Sequence, residues 1–233
     1  MSRNPLIVAL DFESAGKARG LVARLEDRIS FYKVGLELYA AAGMDFVREL
    51  IALGKEVFLD LKLYDIGETV KRAVAQVAAS GVRFTTVHGS KAVMQAAVEG
   101  RGASRLQLLA VTVLTSFDQD DLADLGYPCS VPELVALRVR KAIEAGVDGI
   151  VCSPLEVAAV RALAGSRAIL VTPGVRSAGA GKGDQKRVAT PAEALRNGAD
   201  YLVIGRQITR AEDPQAEAVR LLQEIEPAWR FRA

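Results

Sequence analysis

The chain has 233 residues, half of them hydrophobic and a quarter charged, a size that suits one α/β barrel and a balance too apolar for a disordered chain. Thirty basic residues against 28 acidic ones leave a formal charge of +2, which excludes the one-sided field of a dedicated nucleic-acid binder, so any anionic partner must be recognised locally. Two cysteines, Cys129 and Cys152, and one histidine, His88, are too few for a disulfide framework or the usual His/Cys transition-metal site, while carboxylate sites for Mg2+ stay open on composition alone.

In chain order, Met1-Ser-Arg-Asn-Pro5 runs directly into a short strand-like segment, too short for a signal-peptide core, and no apolar run reaches membrane-spanning length. The expectation is a cytoplasmic protein with free thiols and neither a membrane nor a nucleic-acid partner. Short β-branched or aliphatic runs then recur at Leu6 to Asp11, Phe31 to Val34, Val57 to Lys62, Phe84 to His88, Gln107 to Thr112, Gly149 to Cys152, Ala168 to Thr172 and Tyr201 to Ile204. A stretch with helical spacing follows each, such as Val70, Val74 and Val77 on one face, or Leu134, Leu137 and Ile143 on another. Gly54, Gly81, Gly146 and Gly198 fall where helices should end.

This alternation predicts a parallel sheet with crossover helices. Eight units, with Phe12-Glu-Ser-Ala15 in place of a glycine-rich first turn, predict a single (β/α)8 TIM barrel over residues 1–233 instead of a doubly wound sheet. Two connections are long, roughly 113 to 131 and 173 to 190, and long loops in a compact domain are usually functional.

In barrels of this kind the active site lies at the C-terminal ends of the strands. Those ends carry Asp11, Lys33, Asp60, Lys62 and, just beyond, Asp65. Side chains alternate with period two, so Asp60 and Lys62 point the same way; if that way is inward, both are shielded from bulk water. Charges that deep must be paired, and Asp11, Lys33, Asp60 and Lys62 balance two against two, which sets each ammonium beside a carboxylate and makes a proton donor of it. Plainer readings exist for each residue: Asp65 can cap the third helix in a capping box with Glu68, Asp60 with Lys62 can be a structural ion pair, and Lys33 on a rotated strand is a solvated lysine. The joint pattern favours a site, because an inward Asp-x-Lys opposite a second inward lysine is costly for a purely structural core.

A second constellation runs from Thr172-Pro-Gly-Val-Arg176 through Gly179, Gly181, Gly183 and Gln185, and is joined by Ile204-Gly205-Arg206 after the last strand. Glycines let backbone N–H groups approach an anion, and the loops after strands seven and eight are the usual phosphate site of such barrels, with Arg176 and Arg206 as charge-assisted partners. The plainer reading is a surface loop with incidental arginines. His88, at the end of the fourth run, is read as a hydrogen-bonded positioning residue, and Thr115 is placed to meet a polar ligand edge.

Leu10-Asp11, Tyr32-Lys33-Val34-Gly35, Asp60-Leu-Lys62-Leu-Tyr-Asp65-Ile66, Val113-Leu-Thr115, Thr172-Pro-Gly174 and Ile204-Gly-Arg206 together resemble the orotidine 5'-phosphate decarboxylase family of the bacterial type, nearly end to end. The resemblance implies decarboxylation of orotidine 5'-phosphate to UMP with no metal and no cofactor, Lys62, Asp60, Asp65 and Lys33 forming the catalytic set. It further implies that Asp11 and Lys33 hold ribose hydroxyls, that Thr115 meets the pyrimidine's amide edge, and that Gln185, Arg206, the Gly205 backbone and Arg176 take the phosphate. The loop with Asp65, Ile66 and Thr69 is similar to one that enters a neighbouring subunit's site, which implies a homodimer. Sugar-phosphate relatives that share Asp-x-Lys-x-x-Asp, such as a keto-gulonate phosphate decarboxylase or a hexulose phosphate synthase, use Mg2+ and an acidic residue where Lys33 stands. A catalytically dead ligand-binding barrel would not need both inward lysines.

Overall fold

Each of the eight apolar runs is too short and too evenly hydrophobic to leave a face in water, so each must be covered on both sides, as strands of an all-parallel sheet are. The computed structural model of the chain, which describes residues 4–178 and 189–229, has that architecture. Strands β1 (Leu6–Ala9), β2 (Phe31–Gly35), β3 (Glu56–Leu63), β4 (Phe84–Val87), β5 (Gln107–Val111), β6 (Gly149–Val151), β7 (Ile169–Pro173) and β8 (Tyr201–Ile204) pair in parallel in sequence order, and β8 closes on β1. The helices are α1 (Ala15–Leu25), α2 (Leu36–Ala52), α3 (Gly67–Ala79), α4 (Lys91–Arg101), α5 (Gln119–Asp124), α6 (Val131–Ala145), α7 (Val157–Ala164), α8 (Pro191–Asn197), α9 (Arg206–Thr209) and α10 (Pro214–Trp229). The chain is a (β/α)8 TIM barrel.

Several strands end earlier than the sequence suggests. Asp11, His88, Thr112 and Cys152 lie just past the last residues of β1, β4, β5 and β6, because the apolar run continues into the polar mouth after the ladder has stopped. The glycine stops hold: Gly54, Gly81, Gly146 and Gly198 all have positive φ at helix ends, where a left-handed residue closes the last turn.

Period-two alternation sorts the strands into an inner and an outer set. Ile7, Ala9, Phe31, Phe58, Phe84, Leu109, Val171 and Val203 fill the barrel interior, while the intervening residues join the helices in a larger outer core. Val70, Val74 and Val77 of α3 are buried there as expected. The face expected of α6 is wrong: Leu134 is buried, but Leu137 and Ile143 are exposed, and the buried side is Leu134, Val135, Val139, Ala142 and Ala145. Ile143 stands about 180° round the helix from Leu134, so the two cannot share a stripe.

The N-terminal end of the barrel is plugged by Arg83, whose guanidinium lies 4.9–5.2 Å from the ring centres of Phe84, Phe31 and Tyr201 and bonds Glu56 at 2.6 Å. That end is sealed for stability. The C-terminal end is open and polar, and one inward position beyond the interior residues places Asp11, Lys33 and Asp60 in its floor and wall, with Thr86 buried behind them. Among the described residues no helix is long and apolar enough to cross a membrane.

Candidate active site

A cavity of about 270 Å3 opens at the C-terminal mouth, and Asp11, Lys33, Asp60, Lys62, Thr115, Arg176, Gly205 and Arg206 all line it. Its floor is a row of alternating charges. Lys33 Nζ is 2.9 Å from Asp11 Oδ1 and 3.9 Å from Asp60 Oδ2, and Lys62 Nζ donates to both Asp60 oxygens at 3.0 Å. The Asp11 side chain keeps 54% of its surface exposed and Asp60 only 14%, so Asp11 sits at the rim, where a ligand can reach it, and Asp60 sits at the bottom.

Two local features hold this row. The register of β3 against β4 shifts between Leu59 and Leu63, and Lys62 adopts φ +49°, a left-handed conformation that costs a non-glycine residue of order 1–3 kcal/mol. Thr86 fastens that irregular turn: its hydroxyl accepts from Lys62 N and donates to Asp60 Oδ1, both at 2.9 Å. Asp60 and Lys62 therefore do share the inward side, but through a bulge and not a regular pleat. On the other flank, a Cβ at Gly35 would come within 2.8 Å of Lys33 Nζ and 3.2 Å of Asp11 Oδ1, so only glycine lets the ion pair form where it does.

Asp65, Ile66 and Thr69 stand apart from this group. They do not line the cavity and all three are exposed. The capping box that is the plainer reading of Asp65 is absent: Ile66 is the N-cap of α3 with no side-chain cap bond, and the Asp65 carboxylate accepts instead from Ile66 N at 2.6 Å. Tyr64 and Ile66 expose 68% and 76% of their surface beside the mouth, unusual for side chains of their size.

The loop after β5 brings Thr115 and Ser116 to the cavity wall. Arg138 of α6 steadies it by donating to the Thr112 carbonyl and to Tyr127 Oη. After β7 and β8 come Arg176 and Arg206. Burial, and then the neighbouring Arg206 charge, push the Arg176 guanidinium below its ordinary range, as happens when two cations converge. Gln185 and the glycines at 179, 181 and 183 lie outside the described residues.

His88 corrects a further expectation. Among the described residues its ring takes no hydrogen bond; it meets the edge of the Tyr64 ring at 5.8 Å. Burial first, then the charges of Arg138 and Lys62, lower its pKa from the ordinary 6.5. A depressed folded-state pKa means that the unfolded chain binds the proton more readily, so stability is fully present above about pH 6.5 and falls as pH drops through the folded pKa. His88 is the one histidine in the chain. Its NMR resonance should therefore titrate below 6.5, and His88→Asn should flatten the Tm profile between pH 7 and 5. A midpoint at or above 6.5 would show that neither burial nor the flanking cations disfavour the imidazolium.

The sequence reading missed Thr86, Ser116, Cys152 and Gln207, the last three of which line the cavity. For Thr86 a signal existed, since it lies two residues beyond the interior Phe84 and so shares its inward direction. Among the described residues no group of three or more His, Cys, Asp and Glu side chains is arranged to hold a metal ion.

A closed parallel barrel with an alternating row of lysines and aspartates in its floor and two arginines after β7 and β8 defines a (β/α)8 enzyme with a charged small-molecule site. Residues 4–221 match the model of the orotidine 5'-phosphate decarboxylase / HUMPS family, and the chain belongs to that family. It is accordingly a carboxy-lyase. Similar curated relatives are an orotidine 5'-phosphate decarboxylase of Rhodopseudomonas palustris, 53% identical over 96% of this chain and 95% of the relative, and one of Nitrobacter winogradskyi, 53% identical over 99% and 96%. Among solved structures, an orotidine 5'-phosphate decarboxylase from Lactobacillus acidophilus superposes with a TM-score of 0.83 at 36% identity, covering 96% of this chain and 99% of that one. An uncharacterized conserved protein from Geobacillus kaustophilus superposes at 0.82 with 38% identity over 95% and 100%.

Proposed function

We propose that the chain converts orotidine 5'-phosphate to UMP and CO2 in pyrimidine biosynthesis, as one functional unit per chain, in a cytoplasmic homodimer with shared sites. The observation that carries the reading is the Asp11, Lys33, Asp60, Lys62 row in the cavity floor. Breaking the bond between C6 and the carboxylate leaves its electron pair in an orbital in the ring plane, where the ring π system delocalises it poorly. Electrostatics must then carry the barrier. An ammonium about 4 Å from the developing charge contributes about 4 kcal/mol at an effective dielectric near 20, worth roughly three powers of ten in rate. Lys62 supplies that charge, gives its proton to C6 as CO2 leaves, and is reprotonated from solvent.

Asp60, held by Lys62, Lys33 and Thr86, faces the substrate carboxylate in this scheme, and the like charge raises the ground state. Asp11 and Lys33, at the rim, take the ribose hydroxyls, and Thr115 meets the pyrimidine's amide edge. Arg206, the Gly205 backbone, Arg176 and Gln185 bind the phosphate, which lies away from the reacting carbon; binding energy gathered there orders the site and excludes water. Asp65, Ile66 and Thr69 complete the site of the other subunit.

Neither a metal nor a cofactor enters this scheme. Lys33 occupies the place where the Mg2+-dependent sugar-phosphate relatives carry an acidic residue, and its ammonium together with that of Lys62 balances Asp11 and Asp60 without a metal ion. The spectrophotometric decrease on conversion of orotidine 5'-phosphate should accordingly proceed at the same rate with and without EDTA. Loss of activity in EDTA with recovery on Mg2+ would move the chain to the sugar-phosphate members.

A further inference from the structure

Behind the two arginines, Ser177 and side chains of α10 join Gln207 of the cavity wall in a polar cluster that the reaction itself does not use. Ser177, next to Arg176, is 6% exposed. Its hydroxyl donates to Glu224 Oε2 at 2.5 Å and accepts from Gln207 Nε2 at 2.8 Å and Arg220 Nη2 at 3.0 Å. One donor and two acceptors are the full capacity of a serine hydroxyl. Gln207, next to Arg206, is also fully engaged: its Oε1 accepts from Ser177 N at 3.2 Å, and its Nε2 also donates to Glu217 Oε1 at 2.8 Å. Because the carboxylate of Glu217 can only accept, the orientation of the Gln207 amide is fixed.

These bonds cross-link two loops. Ser177 belongs to the chain leaving β7 and Gln207 to α9 after β8, and both are tied to α10 through Glu217, Arg220 and Glu224. Arg220 also bonds Glu217 at 2.6 Å, which closes the cluster on the helix. On its other side Arg176 is held by its own N–H, which donates to Ala189 O at 3.1 Å. The neighbours of both arginines are therefore fixed to each other and to one rigid helix.

The geometry points to Ser177 and Gln207, anchored on α10, as the positioning pair that sets Arg176 against Arg206 at the anion end of the site. This inference rests on the phosphate role proposed above. Two guanidinium groups repel each other, so loops free to relax would let them drift apart; a buried, fully bonded Ser177 hydroxyl, tied through Gln207 and the partly exposed side chains of α10, holds the two loops together. The pair acts through the arginines and leaves the reacting end of the cavity alone. Its loss should thus appear in binding of phosphate-bearing ligands and not in turnover at saturation.

The test measures steady-state kinetics with orotidine 5'-phosphate and inhibition by UMP and by uridine, for the wild type, Ser177→Ala, Ser177→Thr and Glu224→Gln. Removing the hydroxyl takes from Gln207, Arg220 and Glu224 the group that all three bond. Ser177→Ala should raise KM and weaken UMP by the same factor, about tenfold, while kcat stays within about twofold and uridine inhibition is unchanged. Ser177→Thr retains the hydroxyl and should recover to within about threefold of wild type. Glu224→Gln keeps an acceptor without the charge and should shift KM in the same direction by about threefold. An unchanged KM in Ser177→Ala overturns the inference, as does a uniform loss in which kcat and uridine binding fall together with UMP binding. If wild-type enzyme is inhibited equally by UMP and uridine, the phosphate role itself has failed, and the inference falls with it for a reason visible before any variant is made.

Discussion

Lys62→Ala is expected to lower kcat by at least about a thousandfold and to leave UMP binding within about tenfold of wild type. The reasoning starts from position: Lys62 Nζ lies 3.0 Å from both Asp60 oxygens on the floor of the cavity, with a third of its side chain still exposed and so within reach of a ligand. On the proposed mechanism its loss removes the cation that meets the charge developing at C6, which alone accounts for about three powers of ten, and removes the proton source as well. UMP carries no carboxylate at C6 and makes no demand on that charge, so product affinity should be governed by the ribose and phosphate groups at the other end. Asp60 keeps Thr86 at 2.9 Å and Lys33 at 3.9 Å, which limits the damage from an unpaired carboxylate. Stopped assays with orotidine 5'-phosphate and UMP inhibition measure the two quantities separately. Near-normal turnover in the variant would remove Lys62 from the mechanism, and loss of UMP binding together with turnover would show a collapsed site instead of a missing proton donor.

The parts of this site legible in the sequence are those that follow from period and position. Strand alternation alone carries an interior that begins at Ile7, Phe31, Phe58 and Phe84 onward to Lys33, Asp60 and Thr86, and the barrel rule places those residues at the working end. What remained hidden depends on tertiary contact. No propensity gives Lys62 a positive φ; the bulge exists because Thr86 of the next strand bonds both its N–H and Asp60. The spacing from Asp65 to Glu68 suits a capping box, yet Ile66 takes the cap position, since a local motif fixes which bonds are available and not which the chain makes. The long connection after β5 also contains a helix, α5, with a capping box of its own between Asp118 and Asp121. That helix is only six residues long, too short to show a periodic apolar face in the sequence. Ser177 and Gln207 could not be linked at all from sequence, being thirty positions apart and related only by the adjacency of β7 and β8.

Mixing two inactive variants, Lys62→Ala and Asp65→Asn, under conditions of subunit exchange is expected to restore activity. The motive lies in where the catalytic set divides. Asp60, Lys62 and Lys33 share one cavity, whereas Asp65, Ile66 and Thr69 do not line it; they stand exposed in a segment where Tyr64 and Ile66 leave 68% and 76% of their surface uncovered. Large apolar side chains exposed next to a polar mouth mark a surface that something covers; in the homodimer proposed above, a second copy of the chain covers it and carries its Asp65 to the facing cavity. In such an isologous dimer each site combines Lys62 of one protomer with Asp65 of its partner. A mixed dimer then has one site with both lesions and one with neither. With random reassortment about half the dimers are mixed, so recovery should approach roughly a quarter of wild-type activity per site. If Asp65 serves only its own chain, every site in a mixed dimer carries one lesion and nothing returns. Exchange should be followed independently, with a fluorescent label on each parent, so that an absence of recovery in demonstrably mixed dimers rejects the shared site and returns Asp65 to a local role at the start of α3.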